Sequence, residues 1–271
     1  IEFFQTSEHL SSTDPWKIMK DQNGFLWISG QSIDRYDGYD FVKINERDTT
    51  WKDYYLDYKN SWFSENYICH RLEDKFYLRS INTGKNRPVD LKAALAKRER
   101  LFKDFIFHET PNGSIYFPAF DPSTQKTTFL SLEEGTLKRK FYRTDLDTIG
   151  LPDRSWLSSD TKGNLYYRNL DKSHFIKINA NGKQLQKIPS PTTTKDYSLI
   201  KSGINNVLYL VFQNEIYYLK ENALHFEPHP INQHLNTKCA NTLIKDLLEL
   251  PNGDLWVCGT DRKLVSYSKS T

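Results

Sequence analysis

The stretch WKIMKDQNGFLWISGQSIDRYDGYDFVKI, residues 16–44, decides the fold. Trp16-Lys17-Ile18-Met19-Lys20 reads as a first strand and Phe25-Leu26-Trp27-Ile28 as a second. Ser32-Ile33-Asp34-Arg35-Tyr36 reads as a third and Phe41-Val42-Lys43-Ile44 as a fourth. Each run is short, rich in β-branched and aromatic residues, and bounded by turn residues. Between the first two stands Gln22-Asn23-Gly24, and between the last two Asp37-Gly38. Asn-Gly predicts a type I′ hairpin turn with positive φ at both central residues. Four strands on tight turns make one antiparallel meander.

Outward from this unit, its aliphatic-aromatic pair recurs. The pairs are Leu26-Trp27, Phe76-Tyr77, Ile115-Tyr116, Leu165-Tyr166, Leu208-Tyr209 and Leu255-Trp256. Their spacing averages about 46 residues, within the range of propeller blades. Turn residues precede most pairs: Pro111-Asn112-Gly113, Thr161-Lys162-Gly163, Asn205-Asn206 and Pro251-Asn252-Gly253, with the weaker Asp74-Lys75 in the second unit.

A register test supports this alignment. Eight positions before each pair stand Ile18, Ile68, Phe107, Leu157, Ile200 and Leu247, all apolar. Two positions later stand Lys20, His70, Glu109, Ser159, Ser202 and Glu249, all polar. Residues two apart share a strand face, so each first strand is expected to be buried early and water-facing near its turn.

The expected fold is all-β: a six-bladed β-propeller forming one domain over residues 1–271. The blades run approximately 12–50, 64–104, 105–150, 153–190, 196–230 and 240–271. The last unit has strands near 243–250, 255–258 and 264–267 but no fourth. Glu2-Phe3-Phe4-Gln5 is a spare strand that would complete it, closing the ring and covering an edge. Seven blades is the runner-up, if residues 45–66 form an extra hairpin. Residues 90–104 break the pattern. Asp90-Leu91-Lys92-Ala93-Ala94-Leu95-Ala96-Lys97-Arg98-Glu99-Arg100 is built of good helix formers, so a short surface helix is expected there.

Composition narrows the function. Lys plus Arg is 37 and Asp plus Glu is 34, a net charge of +3. That balance argues against nucleic acid and against a polybasic membrane patch. Aromatics are 14% of the chain, which suits pleated, half-buried surfaces and excludes disorder. No run approaches the length of a membrane helix, so no insertion by this segment is expected. The chain starts at Ile1, which suggests a processed or truncated product. Cys69, Cys239 and Cys258 form no C-x-x-C pair and are expected to be buried free thiols.

Residues 16–44 resemble the repeat of two-component regulator propellers. Asp21, Gly24, Leu26, Trp27, Ile28 and Arg35-Tyr36-Asp37-Gly38 carry the resemblance. So does Asn252-Gly253-Asp254-Leu255-Trp256-Val257-Cys258-Gly259-Thr260, and residues 3–10 resemble the strand that opens such propellers. Ser29-Gly30 and Ser32-Ile33 depart from the family's Gly-Thr and Gly-Leu, and units two to five carry Tyr where Trp is usual. The resemblance implies the extracytoplasmic, periplasmic part of a membrane-anchored sensor histidine kinase that responds to oligosaccharide. The implied partners are neighbouring domains of the same chain, with a homodimer as a further expectation. No kinase chemistry lies in this segment.

No catalytic signature is present: no G-x-S-x-G elbow, P-loop, H-E-x-x-H or dinucleotide glycine motif. No cofactor or metal is expected. The turn Ser158-Ser159-Asp160-Thr161-Lys162-Gly163 places its glycine one residue too late for a sialidase aspartate box, and Asn112-Gly113-Ser114 reads as a turn before it reads as a glycosylation sequon. The candidate ligand site is the link from the first blade to the second. There Trp51, Tyr54, Tyr55, Tyr58 and Trp62 would offer rings for sugar stacking. Asp53 and Asp57, with Lys59, would bond hydroxyls. His70 and Glu109 form a second, weaker candidate at the channel mouth. Two alternatives stand beside the sensor reading: a metal-dependent lactonase or lyase, and a stand-alone interaction scaffold.

Overall fold

The computed structural model describes residues 2–5, 17–21, 23–29, 33–43, 61–64, 66–72, 75–80, 83, 85–101, 107–133, 136–145, 157–195, 197–238, 243–260 and 263–268. The chain opens on β1 (Glu2–Gln5). Sheet I follows: β2 (Lys17–Lys20), β3 (Leu26–Ser29), β4 (Ile33–Tyr36) and β5 (Phe41–Lys43). Sheet II holds β6 (Ser61–Phe63), β7 (Tyr67–Leu72), β8 (Lys75–Ser80) and β9 (Asn86–Val89). After α1 (Leu91–Ala94), sheet III holds β10 (Arg100–Leu101), β11 (His108–Glu109), β12 (Ile115–Asp121), β13 (Lys126–Glu133) and β14 (Thr136–Arg143). Sheet IV holds β15 (Leu157–Ser159), β16 (Leu165–Arg168), β17 (His174–Ile178) and β18 (Gln184–Pro189). Sheet V holds β19 (Leu199–Ser202), β20 (Leu208–Phe212), β21 (Glu215–Leu219) and β22 (Glu227–Pro228). Beyond α2 (Asn232–Lys238) come β23 (Ile244–Glu249), β24 (Leu255–Gly259) and β25 (Lys263–Tyr267). These three form sheet VI together with β1.

Each sheet is a meander in chain order, with β10 and β11 sharing the first place of sheet III and β1 taking the fourth place of sheet VI. The N-terminal strand pairs antiparallel with β25, from Glu2 opposite Ser266 to Gln5 opposite Lys263. The expected completion of the last meander is therefore present. Residues 1–88 and 234–271 form one compact unit, and residues 89–233 form the other.

In the first unit, sheets I and VI pack directly. The Ile18 N–H donates to Asp246 Oδ2 at 3.0 Å, across 228 residues of sequence. Ile18, Leu26, Ile28, Trp256, Cys258 and Leu264 make a buried cluster there. The second unit has a larger core running from Tyr116 and Phe129 through Phe175 and Ile200 to Phe226. Phe175 meets Tyr197 edge-on at 5.5 Å and Phe226 at 5.2 Å. Such pairs contribute about 0.5–1.5 kcal/mol beyond burial. Arg168 is 1% exposed within this core. Its guanidinium donates to the Lys172, Lys195 and Thr192 carbonyls and to Ser190 Oγ, so a single side chain holds the connection from β18 to β19.

The turns between first and second strands differ from the expected type I′. Among the described residues of these turns only the glycine is left-handed: φ is +91° at Gly24, +83° at Gly113, +77° at Gly163 and +85° at Gly253. In sheet I the Gly24 N–H donates to the Asp21 carbonyl, and the Asp21 N–H to the Phe25 carbonyl. Thr110, Asp160 and Leu250 repeat both bonds with their own turns. This is a three-residue loop closed by a glycine bulge. Sheet V places Asn206 at the left-handed position, φ +58°, as its tolerance of that region allows.

Two further expectations are corrected. In sheet II, β6 is the first strand, pairing Ser61 with His70 through Phe63 with Ile68. Ile68 and His70 therefore sit on the second strand, and Phe76-Tyr77 on the third. Asp74 lies outside the described residues. The true first turn is Ser64 to Asn66, where the Ser64 N–H donates to the Tyr67 carbonyl. Ser61–Phe63 thus belongs to sheet II, and not to an extra hairpin over 45–66; residues 44–60 lie outside the described residues. The helix expected over 90–104 is a single turn. Asp90 caps it through Ala93 N–H as its position suggests. Arg139 then takes the Ala94 carbonyl and Glu99 takes the Ala96 N–H, so the helical ladder cannot continue.

Cys69 and Cys258 are free and buried, and burial pushes the Cys69 thiol well up. Cys239 lies outside the described residues.

Candidate functional site

Most of the aromatic link also lies outside the described residues: Trp51, Asp53, Tyr54, Tyr55, Asp57 and Tyr58 among them. Trp62 is the middle residue of β6, opposite Cys69 on β7.

The polar column is placed more fully. Lys20, Glu109, Ser159, Ser202 and Glu249 each end the first strand of their sheet, at the mouth of the glycine turn. The apolar column before them is buried at Ile18, Phe107, Leu157, Ile200 and Leu247. His70 is displaced from the column by the shift in sheet II, so His70 and Glu109 do not hold equivalent places. Among the described residues no group of three or more His, Cys, Asp or Glu is placed to hold a metal.

The column was expected to face water, but Ser159 is 1% exposed. Its Oγ lies 2.9 Å from His108 Nε2 on sheet III. Ser158 Oγ lies 2.8 Å from Ser202 Oγ on sheet V, and Ser202 Oγ also bonds the Ser159 carbonyl. Successive residues of β15 thus reach opposite neighbours, because side chains alternate along a strand. A serine at hydrogen-bonding distance from a histidine has the geometry of a nucleophile and its base. This hydroxyl, however, is covered by the packing of sheets III, IV and V, and the pair stitches those sheets together. The register test passed over His108 and Ser158 because it followed one strand face. The other face of the same strands would have found them.

The turns of the second unit extend the seam. The Thr161 N–H donates to Asn206 Oδ1 at 3.0 Å, and Lys162 Nζ lies 2.8 Å from Glu221 Oε1. Asn112 packs against Gly163, where a Cβ would fall 2.5 Å from its Nδ2. Asn112 Oδ1 also accepts from Thr110 Oγ1 and the Ser114 N–H, consistent with a turn role for this residue.

Asp160 anchors its turn. Oδ1 accepts the N–H groups of Lys162 and Asn164, and Oδ2 accepts Tyr166 O–H and Lys177 Nζ. Burial pushes its carboxyl up, but the bonds from Asn164 and Lys177 outweigh that and hold it below the usual aspartate value. The phenol of Tyr166 is pushed well up by burial and by the Asp160 charge. In sheet I, Asp21 Oδ1 accepts Asn23 and Phe25 N–H, and Oδ2 accepts Trp27 Nε1–H at 2.8 Å. The repeat's Asp and Trp are therefore partners in one buried bond.

No family model matches the chain, and no curated protein matches it. Solved structures do. A streptogramin B lyase superposes with a TM-score of 0.58 at 14% identity, over 98% of this chain and 96% of that one. The extracellular domain of BT4673 from B. thetaiotaomicron gives 0.56 at 12% identity, over 99% of this chain and 43% of that one. Regucalcin, a calcium-binding protein from Agrobacterium tumefaciens, gives 0.52 at 11% identity, over 91% and 82%. With the meanders above, these likenesses establish an all-β propeller fold. The chain spans less than half of the BT4673 domain, which one structure names as belonging to a one component system and another to a hybrid two component system. Among the described residues no helix is long and apolar enough to cross a membrane.

Proposed function

We propose that this chain is a propeller module from the periplasmic input region of a membrane-anchored two-component sensor. In this reading it responds to oligosaccharide and docks neighbouring domains of its own chain. The observation that carries the reading is the Asp21–Trp27 bond. It gives the sensor repeat of residues 16–44 a physical role in sheet I. The fold shared with the extracellular domain of BT4673 supports it.

The ligand-binding residues in this proposal are Trp51, Tyr54, Tyr55, Tyr58 and Trp62, with Asp53 and Asp57. Aromatic rings offer sugars a flat apolar face, and carboxylates accept their hydroxyls. The test is calorimetric titration of neutral oligosaccharides against the native chain and a Trp51→Ala/Trp62→Ala variant. Binding that the variant loses by about tenfold or more supports the site, as expected when a stacked anchor is removed. Undiminished affinity in the variant sinks it. Turnover of a lactone or glycan that requires added divalent metal would favour the lactonase or lyase alternative instead.

A further inference from the structure

We propose that one face of sheet III binds a linear anionic glycan, through Lys97, Arg98, Lys126, Arg139 and Tyr142. This rests on the oligosaccharide reading above and adds a second, electrostatic contact for the same ligand class.

The face is assembled from distant segments. Glu99 Oε1 accepts Thr128 Oγ1 on β13 at 2.7 Å and Arg139 Nη1 on β14 at 2.9 Å. Arg139 Nη2 reaches the Ala94 carbonyl as well. These bonds lay residues 94–99 across the sheet. The Arg139 guanidinium holds the Glu99 carboxyl down to about 2, so this anchor stays ionised in any neutral or mildly acidic medium. Lys97 and Arg98 stand at the tip of the turn closed by Glu99 N–H to the Ala96 carbonyl, and both are exposed.

Thr128 pairs across the ladder with Tyr142, so their side chains share this face. Lys126, two residues from Thr128, shares it too. Tyr142 is 58% exposed, and Lys126 Nζ lies 3.8 Å from its ring centroid. Among the described residues no carboxylate forms an ion pair with Lys97, Arg98 or Lys126. An exposed ring set among cations is suited to a partner with both an apolar face and negative charge.

Charge spacing selects among polyanions. Asp121 stands directly opposite Lys126, and the whole chain carries only +3. A nucleic acid or an anionic membrane needs a continuous positive field. An interspersed carboxylate repels closely spaced phosphates, whereas it accepts hydrogen bonds from sugar hydroxyls. A glycan, with charges separated by hydroxyl-bearing rings, fits this alternation.

The experiment titrates the chain with a size-defined polygalacturonate oligomer, a dextran sulfate oligomer and a neutral glucan of equal length. Expected is polyanion binding that weakens steeply between about 20 mM and about 200 mM salt. The Lys97→Gln/Arg98→Gln/Lys126→Gln variant should lose about tenfold or more in affinity, and Tyr142→Ala severalfold. The two anionic probes distinguish a carboxylate from a sulfate preference. Full affinity in the triple variant overturns the proposal. So does equally tight binding of poly-glutamate or of phosphatidylglycerol vesicles. If the glucan binds but the polyanions bind no better, this inference falls and the sensor proposal stands. If no glycan binds, both fall.

Discussion

The first turns of sheets I and IV share a backbone and differ in what locks it. Both close with a left-handed glycine, and both place an aspartate at the turn entrance. Asp21 faces only neutral donors, two backbone N–H groups and the Trp27 indole. Asp160 faces two backbone N–H groups, the Tyr166 phenol and the Lys177 ammonium. Sheets III and VI make the same turn with Thr110 and Leu250 at the entrance. The backbone geometry thus needs a residue that tolerates positive φ at the fourth position, glycine in four sheets and Asn206 in sheet V, and the aspartate adds a lock whose strength depends on its partners.

The largest expected effect is at the charged lock. Asp160→Ala leaves Lys177, largely buried, without its carboxylate and strips the turn's acceptors. A loss of about 3 kcal/mol is expected in denaturant unfolding, against about 1–2 kcal/mol for Asp21→Ala. Equal losses would show that the Lys177 pair contributes nothing.

The glycines should separate next. Gly24→Ala and Gly163→Ala both place a side chain at positive φ, which costs about 1 kcal/mol. At Gly24 the nearest atom to the new Cβ is Lys20 Cε at 3.9 Å, so the cost stops there. At Gly163 the Cβ would strike Asn112, which is itself held by Thr110 and Ser114, so a total of about 2 kcal/mol or more is expected. Adding Asn112→Ala to Gly163→Ala should recover part of that difference.

Trp27→Phe and Tyr166→Phe each remove one donor to an aspartate. Each should cost about 1 kcal/mol beyond any change in packing. A smaller effect at Tyr166 would mean that Lys177 alone satisfies Asp160 Oδ2.

The smallest effect is a pH dependence that belongs to sheet IV. The Asp160 carboxyl is held below its unfolded value of 3.8. Its stabilisation is therefore fully present above that value and is lost as pH falls below it through the folded value. The stability gap between native chain and Asp160→Asn should be constant from pH 7 to about pH 5 and narrow toward pH 3. A gap unchanged at pH 3 would contradict the charged lock.

How far these features were legible depended on where the bonds run. The place of the turn in sheet I, though not its type, was readable because Asp21, Gly24 and Trp27 lie within seven residues and bond one another. The completing strand β1 was readable because an unfilled fourth place and a spare apolar strand stood at opposite ends of one sequence. Sheet II was misread because its second and third strands both follow turns and both carry apolar and aromatic residues. Only hydrogen bonding identifies β6 as the first strand. The helix over 90–104 was overestimated because its residues favour helix, while Arg139, some 40 residues later, takes the carbonyl that the next turn needs. The polar column was found, yet its serines face neighbouring sheets and not water.

The sequence alone therefore determined the repeat, the all-β class, the glycine turns and the completion of sheet VI, since each follows from residues close in the chain or from a period. Tertiary structure decided the strand order of sheet II, the length of α1, the seam of His108, Ser158, Ser159 and Ser202, and the cationic face of sheet III. Those depend on contacts between residues tens of positions apart. A local pattern carries no information about which distant donor meets which acceptor.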